Sequence, residues 1–507
     1  MKLARGDEVG TVARRLTGTH DPIALHGALA AGGATPLLFR RTNGRALILV
    51  DHALRFEACG LEASLTAASE GGALLLDRLA IRLADHIVDR GERRFGLRFA
   101  RCDDPDEAVR AAAPTPLGAL RAIALGVTPI ERDEPFALAT LGLVGFDHID
   151  MVETLAARAP GDFPDLLFLL AETLIVVEPS GAARIVAMAV GSDDPAIAHR
   201  QHHLAAERLA RLVARCEEPA PQLDDALPSP HRADPDVDDT AFAAIVERLK
   251  RHVAAGDIFQ AVPSRCFRAP CDNGLAAFRR LAAADPGAYQ FAFDTGHGLL
   301  IGASPETALE VRRKGSNLTV SVSPIAGTRP RGACPDEDDR NEADLRLDAK
   351  EVAEHLMLVD LARNDVARVC GSGTRRVAKL LDVERFARVM HLVSRVEGEL
   401  DGGRDAVDAI RACLNVGTLS GAPKLKAIEL IRSVETSARG PYGGAIGWIA
   451  GDGSMDSAVV IRSALVRGGV AEVRAGAGVV QDSDPLAEAA ETRAKASAML
   501  DALGAVA

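Results

Sequence analysis

The chain has 507 residues, of which 48% are hydrophobic and 26% charged, with a formal net charge of −12 at pH 7. These values describe a globular protein with ample core, about two to four domains by length, and they argue against nucleic acid or an anionic membrane as a partner. No apolar run approaches membrane-spanning length, no leader is visible, and the eight cysteines form no ligand-spaced cluster, so we expect no membrane span, no zinc or disulfide framework, and a cytoplasmic location.

Residues 1–35 read as helical and Ala-rich, Ala46 to Val50 as a buried strand, and 74–92 as an amphipathic helix. Strand patterns follow over 137–151 and 166–191, the latter a hairpin turning at Pro179-Ser180-Gly181, and then a long helix over 195–216. Glu217 to Thr240 is rich in Pro and Asp and has no periodicity, which marks a linker or exposed connection. It divides an N-terminal region, 1–220, from a core, 241–507.

In the core, a helix over 240–255 leads to a strand from about Ile258, short strands at Phe291 to Phe293 and Leu299 to Ile301, and another at Thr319 to Ser323. A helix spans Asp344 to Cys370, a strand Met390 to Arg395, and a helix opens at Pro423. Strands at 445–450, 457–466 and 473–480 precede a last helix from Pro485. Without a regular βαβ rhythm, this order predicts an α+β fold with a large, mainly antiparallel sheet system.

The helix Asp344 to Cys370 contains an anomaly. Leu347, Glu351, Glu354, Leu358 and Leu361 fall at steps of four and three, so two carboxylates share an apolar stripe. A second apolar face, Ala349, Val352, Leu356 and Val359, predicts a helix buried nearly all round. Paired buried carboxylates need a cation or donors. The last helix repeats the pattern with Glu488, Glu491 and Lys495 on one face. Two such helices with oxygen-only ligands suit Mg²⁺, although a surface salt-bridge stripe is the bland alternative for the second. Gly476 and Gly478 follow a strand and either admit a ligand to backbone N–H groups or serve tight packing. Arg462 stands alone in an apolar strand and wants a carboxylate. His391, on another such strand, is by default a satisfied core residue. Thr418 either caps the helix entered at Pro423 or faces a ligand. Spacing alone thus reaches a Mg²⁺-dependent enzyme acting on a small carboxylated substrate.

Motifs in order carry the reading further: DIFQAVPSR, GASPE, PIAGTRPRG, LDAKEVAEHLMLVDLARND, VMHLVSRVEG, GTLSGAPKLKAIELI, GPYGGAIGW and AGAGVVQDSDPLAEAAETRAKA. Together they resemble the chorismate-utilising enzymes, and within them the large-subunit branch of the anthranilate synthases. The resemblance is dense over 240–503 and thinner in GLVGFDHIDMVETL and FPDLLFLLAETLIVVE. It implies two orthogonal, mostly antiparallel sheets in a sandwich with helices outside, the N-terminal half contributing strands to the sandwich as well as a smaller regulatory part. It also implies Mg²⁺-dependent addition of ammonia to chorismate, loss of the 4-hydroxyl, and elimination of pyruvate.

By motif, Glu354 and Glu491 match metal ligands, with Glu351 and Glu488 close by through metal-bound water. Gly327, Thr328, Tyr442, Arg462, Gly476, Gly478 and Lys495 match substrate-binding positions. Glu306 matches the general acid for the leaving hydroxyl, and a carboxyl in that role needs a raised pKa. His391 matches a histidine assisting at the same end, and Thr418 a substrate-contacting threonine. Gln260 stands where water-adding relatives carry a lysine base, and Ala326 where aminodeoxychorismate synthases commonly carry lysine. Both choices point to the anthranilate synthase branch rather than those alternatives. A catalytically silent homologue is the non-enzymatic rival, but it predicts loss of Glu354, Glu491, Glu306 or His391, and all four are present. With no glutaminase motif, the resemblance implies ammonia from a separate glutamine amidotransferase subunit, anthranilate synthase component II, in a heterotetramer. Enteric-type relatives bind tryptophan through Leu-Leu-Glu-Ser and Asn-Pro-Ser-Pro-Tyr motifs. Here the Glu and Ser positions are expected at Val50 and Asp51, and the second motif reads Asp285-Pro286-Gly287-Ala288-Tyr289. Val50, Asp51, Pro286 and Tyr289 therefore form a degenerate tryptophan site in this reading.

Overall fold

The computed structural model describes residues 4–131, 133–218, 226, 228–386 and 389–506. Two long strands, Ala46–Cys59 and Leu166–Val177, lie antiparallel through its middle. Their register slips repeatedly between Leu49 and Leu54. Such irregularity lets a strand bend out of one sheet into another.

The first halves of the pairing, around Ala46–Leu49 and Leu174–Val177, belong to one sheet. From there it runs through Leu37–Arg41, Tyr289–Asp294, Leu299–Ser304, Ser463–Arg467, Val470–Gly476 and Ser264–Pro270. Its other flank is Ala183–Val190 and Glu8–Arg15. The second halves enter another sheet, through Ala139–Val144, Ala445–Ala450, Met455–Val459, Thr307–Lys314, Asn317–Val322 and Val389–Glu399. Glu62–Ala67 and Arg94–Arg98 close its far flank. The pairing is antiparallel apart from short contacts such as Glu8 with Thr128. The fold is the expected α+β sandwich.

Three apolar layers hold it. Phe39, Leu47, Leu141, Leu169, Phe291 and Ile446 pack between the sheets. The helices Pro22–Ala31, Pro195–Glu217, Gly274–Ala284 and Pro485–Leu503 cover the outside of the first sheet. Glu70–Arg82, Pro116–Leu125, Ala349–Ala367 and Ala406–Cys413 cover the second.

Several elements differ from the sequence expectation. Residues 1–35 are not uniformly helical, because Glu8–Arg15 is a strand held by Ala183–Val190. Its few β-branched residues gain their structure from a neighbour far away in sequence, which local propensity does not register. The helix expected over 74–92 ends at Arg82, and Ile87–Arg90 is a strand. The strand expected to continue to residue 151 stops at Val144 and turns into the 3-10 segment Phe146–Met151. Asp344 to Cys370 is two helices, Pro335–Leu347 and Ala349–Ala367, broken where Asp348 accepts the Lys350 and Glu351 N–H groups as an N-cap. Leu347 consequently lies off the stripe at 83% exposure, and Leu356 on the second apolar face is 43% exposed. Of the expected linker, residues 219–225 and 227 lie outside the described residues, while His231–Arg232 and Asp234–Pro235 are short strands. Strands of the N-terminal region run in both sheets beside strands of the core, as Leu37–Arg41 with Tyr289–Asp294 and Ala139–Val144 with Ala445–Ala450.

Candidate active site

The chain crosses between the sheets at two neighbouring corners. Leu299–Ser304 is in the first sheet and Thr307–Lys314 in the second, so Pro305 and Glu306 make one corner. Met455–Val459 and Ser463–Arg467 reverse that crossing, leaving Arg462 in the other. The corners are stitched together: the Val459 N–H donates to the Glu306 carbonyl at 3.0 Å and the Ala303 N–H to the Arg462 carbonyl at 3.1 Å. Arg462 has φ 50°, a left-handed conformation costly for a residue with a side chain. It interrupts the continuous strand expected over 457–466. Its guanidinium has no salt bridge among the described residues, and Nη1 donates to the Lys495 carbonyl. Burial lowers its pKa, against the opposing pull of Asp285, Tyr442 and Glu491.

Glu306 is 7% exposed and accepts a hydrogen bond from the Thr418 hydroxyl at 2.8 Å. Burial pushes its carboxyl up to about 7, with Thr418 and the Lys495 charge pulling the other way. That is the range in which a carboxylic acid is protonated near neutrality. Thr418 does not cap the following helix, whose N-cap is Pro423. The two residues line a small cavity with Leu358, Leu361 and Asp365 of the Ala349–Ala367 helix.

The four glutamates come from two helices, Ala349–Ala367 and Pro485–Leu503. Burial raises the pKa of Glu351, Glu354 and Glu488. Like charge adds to it, Glu354 acting on Glu351, and Glu491 on both Glu354 and Glu488. Glu488 is buried, whereas Glu491 is exposed and pairs with Lys495 at 2.6 Å. Glu354 Oε1 accepts from Gln260 Nε2 at 2.9 Å. No three His, Cys, Asp or Glu side chains among the described residues converge closely enough to enclose a bare ion. The mutual repulsion across two helices nevertheless suits Mg²⁺, which keeps several waters and takes only one or two carboxylates directly.

His391 Nδ1 lies 2.9 Å from the Gly327 carbonyl, to which it donates, and 3.1 Å from the Thr328 hydroxyl. Burial lowers its pKa, and the Arg462 and Lys495 charges add to the effect. The ring is held neutral with Nε2 unprotonated. Gly327 has φ 70°, and a Cβ there would lie 3.2 Å from Glu351 Oε2.

Gly476 and Gly478 serve close packing. A Cβ on Gly476 would lie 2.6 Å from the Pro263 carbonyl and 3.1 Å from the Tyr442 hydroxyl. On Gly478 it would lie 2.7 Å from Gln260 Nε2. Their smallness lets Tyr442 and Gln260 approach the strand end. Lys495 Nζ donates to the Gly476 carbonyl at 3.1 Å. Tyr442 is buried, which raises its phenol to about 12.

The expected tryptophan residues are not brought together. Tyr289 pairs with Arg41, whereas Leu49, beside Val50 and Asp51, pairs with Leu37 at the other end of the same strand. Four residues at about 3.4 Å each put Val50 and Asp51 roughly 13 Å or more from Tyr289 along the sheet. What faces Tyr289 is Arg41, which spans Glu310 at 3.0 Å and Asp456 at 3.3 Å with its guanidinium 5.4 Å from the Tyr289 ring centre. The alignment of ALILVDHALR with Leu-Leu-Glu-Ser is therefore corrected.

Two supporting pairs were not singled out from sequence. Lys424 Nζ meets Asp365 at 2.9 Å and the Leu414 carbonyl at 3.2 Å, tying the loop that carries Thr418 to the Ala349–Ala367 helix. Asp365 continues the stripe four residues beyond Leu361, a visible signal. Arg439, paired with Glu435 at 2.6 Å, lies 4.2 Å from the Phe146 ring centre and 5.8 Å from that of Tyr442. Nothing in local sequence marked that pair.

A two-sheet sandwich with a buried acid, Glu306, and the Arg462 guanidinium at neighbouring corners frames the site, and the chain belongs to the chorismate binding enzyme family, whose model matches residues 70–501. It is 42% identical to anthranilate synthase component 1 of Vibrio cholerae, over 96% of this chain and 94% of that protein. The pyocyanine-specific anthranilate synthase component 1 of Pseudomonas aeruginosa is 45% identical, over 93% and 91%. Among solved structures, anthranilate synthase component I of Streptococcus pneumoniae superimposes with a TM-score of 0.71 at 29% identity, covering 91% and 92% of the two chains. The menaquinone-specific isochorismate synthase of Escherichia coli shares the fold, with a TM-score of 0.70 at 18% identity over 99% and 96%. No helix among the described residues is long and apolar enough to cross a membrane.

Proposed function

We propose that this chain is the synthase component of an anthranilate synthase, converting chorismate and ammonia to anthranilate and pyruvate in the first committed step toward tryptophan. Chorismate carries two carboxylates, and a protein of net charge −12 must meet them with local positive charge. Mg²⁺, held by Glu354 and Glu491 with Glu351 and Glu488 behind them, would supply that charge to the ring carboxylate. Arg462, with no carboxylate partner among the described residues and held at a sheet corner, is suited to the enolpyruvyl carboxylate, with Lys495 and the Tyr442 hydroxyl beside it. Glu306 holds a proton near neutrality. Since Thr418 donates to Oε1, that proton sits on Oε2, ready for the departing 4-hydroxyl. His391 Nε2 provides a neutral acceptor at the same end. Gly327 and Thr328 orient that ring.

The observation that carries nitrogen rather than water addition is Gln260. Its amide donates to Glu354 and cannot act as a base. Water must be deprotonated to attack, whereas ammonia is already a nucleophile. A separate amidotransferase subunit would supply that ammonia from glutamine, in a cytoplasmic heterotetramer. Incubation with chorismate, Mg²⁺ and ¹⁵N-ammonium tests the reading: the aromatic product should gain one mass unit over the unlabelled control. A hydroxylated, nitrogen-free product instead would reject it.

A further inference from the structure

Behind the corner site, one buried arginine holds three of its parts at once. The Arg439 guanidinium donates through Nη1 to the Leu419 carbonyl at 2.7 Å, one residue beyond Thr418. Through Nη2 it donates to the Val262 carbonyl at 2.6 Å, two residues beyond Gln260. Nε and Nη2 together hold the Glu435 carboxylate at 2.6 to 3.2 Å. The Arg439 carbonyl accepts the Tyr442 N–H at 3.1 Å, closing the turn that presents that phenol. Its planar charge also faces the rings of Phe146 and Tyr442.

Glu435 anchors this fork from behind. Its Oε1 also accepts the Ser264 N–H at 2.8 Å and hydroxyl at 2.7 Å, and Arg474 stands 3.8 Å from Oε2. Burial pushes the Glu435 carboxyl up, but the Arg439 charge and hydrogen bonds, with Arg474 behind them, hold it below its ordinary value. A buried ion pair alone needs only its two partners. Here the same guanidinium also takes carbonyls from two separate connections. Leu419 lies between Ala406–Cys413 and the short strand Gly421–Ala422, and Val262 between Gln260–Ala261 and Ser264–Pro270. Bonding both to one rigid fork fixes their separation, which a flexible lysine could not do.

We propose that Arg439 is a positioning residue of the corner site: by holding the Leu419 and Val262 carbonyls and the Tyr442 turn on one fork, it sets Thr418 against Glu306 and Gln260 against Glu354. The roles of those four groups rest on the function proposed above, whereas the coupling of Arg439 to Glu306 through Thr418 stands whatever the reaction is.

The test follows the proton on Glu306. The difference in urea stability between chains with Glu306 and with Glu306→Gln, taken against pH, marks where the carboxyl ionises, about 7 in the native chain. Burial holds it there and the Thr418 hydroxyl pulls the other way, so loosening Thr418 moves ionisation to higher pH. Arg439→Lys keeps a cation beside Glu435 and should raise that pH by about half a unit or more. It should also lower kcat for chorismate consumption at least tenfold. Arg439→Met combined with Glu435→Gln removes the pair without stranding a charge and should do the same, so it decides the matter should Arg439→Lys fail to fold. Glu306 ionising at the native pH in a folded variant, or a near-native kcat, would overturn the proposal. Failure of both variants to fold would overturn it as well, leaving Arg439 a folding residue only. A native chain that does not consume chorismate would strike the proposed function instead, and the unfolding measurement would still decide the role of Arg439.

Discussion

Replacing Glu306 by glutamine separates the stability of the corner from its chemistry. The buried carboxyl is held at about 7 instead of 4.5, which corresponds to roughly 3 kcal/mol of proton-linked stability. The native state binds this proton more tightly than the unfolded chain. That stability is therefore fully present below the unfolded value of 4.5 and is lost as the pH rises through about 7. Glutamine carries no such charge. It can still accept from Thr418, so relative to native the Glu306→Gln chain should gain roughly 2–3 kcal/mol between pH 5 and pH 8. Over the same range it should be nearly inactive, with kcat down about 10²–10⁴-fold for loss of a general acid. Native kcat should itself fall above a pH of about 7. Urea unfolding of both chains at the two pH values, beside kcat–pH profiles, reads each quantity. A stability difference that does not change with pH, or a Glu306→Gln enzyme of near-native kcat, refutes the placement of that proton.

Glu354→Gln and Glu491→Gln should each raise the Mg²⁺ concentration for half-maximal activity and lower turnover more than tenfold, about 1.4 kcal/mol or more of barrier; normal turnover of both at sub-millimolar Mg²⁺ contradicts the assignment. Lys424→Met should cost about 3–5 kcal/mol by stranding buried Asp365, and adding Asp365→Leu should recover part of it. A thermal melt of single and double variants that shows no recovery would mean the pair is not coupled as its 2.9 Å geometry requires. Tryptophan should inhibit at least tenfold more weakly than it does enteric-type relatives, because Arg41 already engages Glu310 and Asp456 beside Tyr289. Micromolar, cooperative inhibition in a titration of activity would show that Arg41 does not block the site.

The carboxylates were legible because they break a period. Glu351 and Glu354 stand where leucine or alanine would complete an apolar stripe, and polarity in an apolar pattern survives without knowledge of the fold; Glu488 and Glu491 showed only through their repeat of the same spacing. Glu306 and Arg462 were legible only by motif. Their chemistry comes from corners at which strands change sheets, and neither the burial of one nor the left-handed backbone of the other has a local signature. The bend between Leu49 and Leu54 was equally hidden: Ala46 to Val50 reads as a strand of its own, whereas the strand continues to Cys59 through a register that slips. That bend also bears on the tryptophan reading: similar leucine-rich strands, Leu37–Arg41 and Ala46–Cys59, lie side by side, and only the pairing with Tyr289 shows which one faces it. Glu8–Arg15 was missed because its order depends on Ala183–Val190, some 170 residues away.

The most direct measurement is simultaneous detection of anthranilate fluorescence and pyruvate from the purified chain with chorismate, Mg²⁺ and ammonium at alkaline pH. Equal amounts of the two products, formed with ammonium but not with glutamine alone, are expected. Pyruvate without a fluorescent amine, or anthranilate made from glutamine by this chain unaided, would contradict the account.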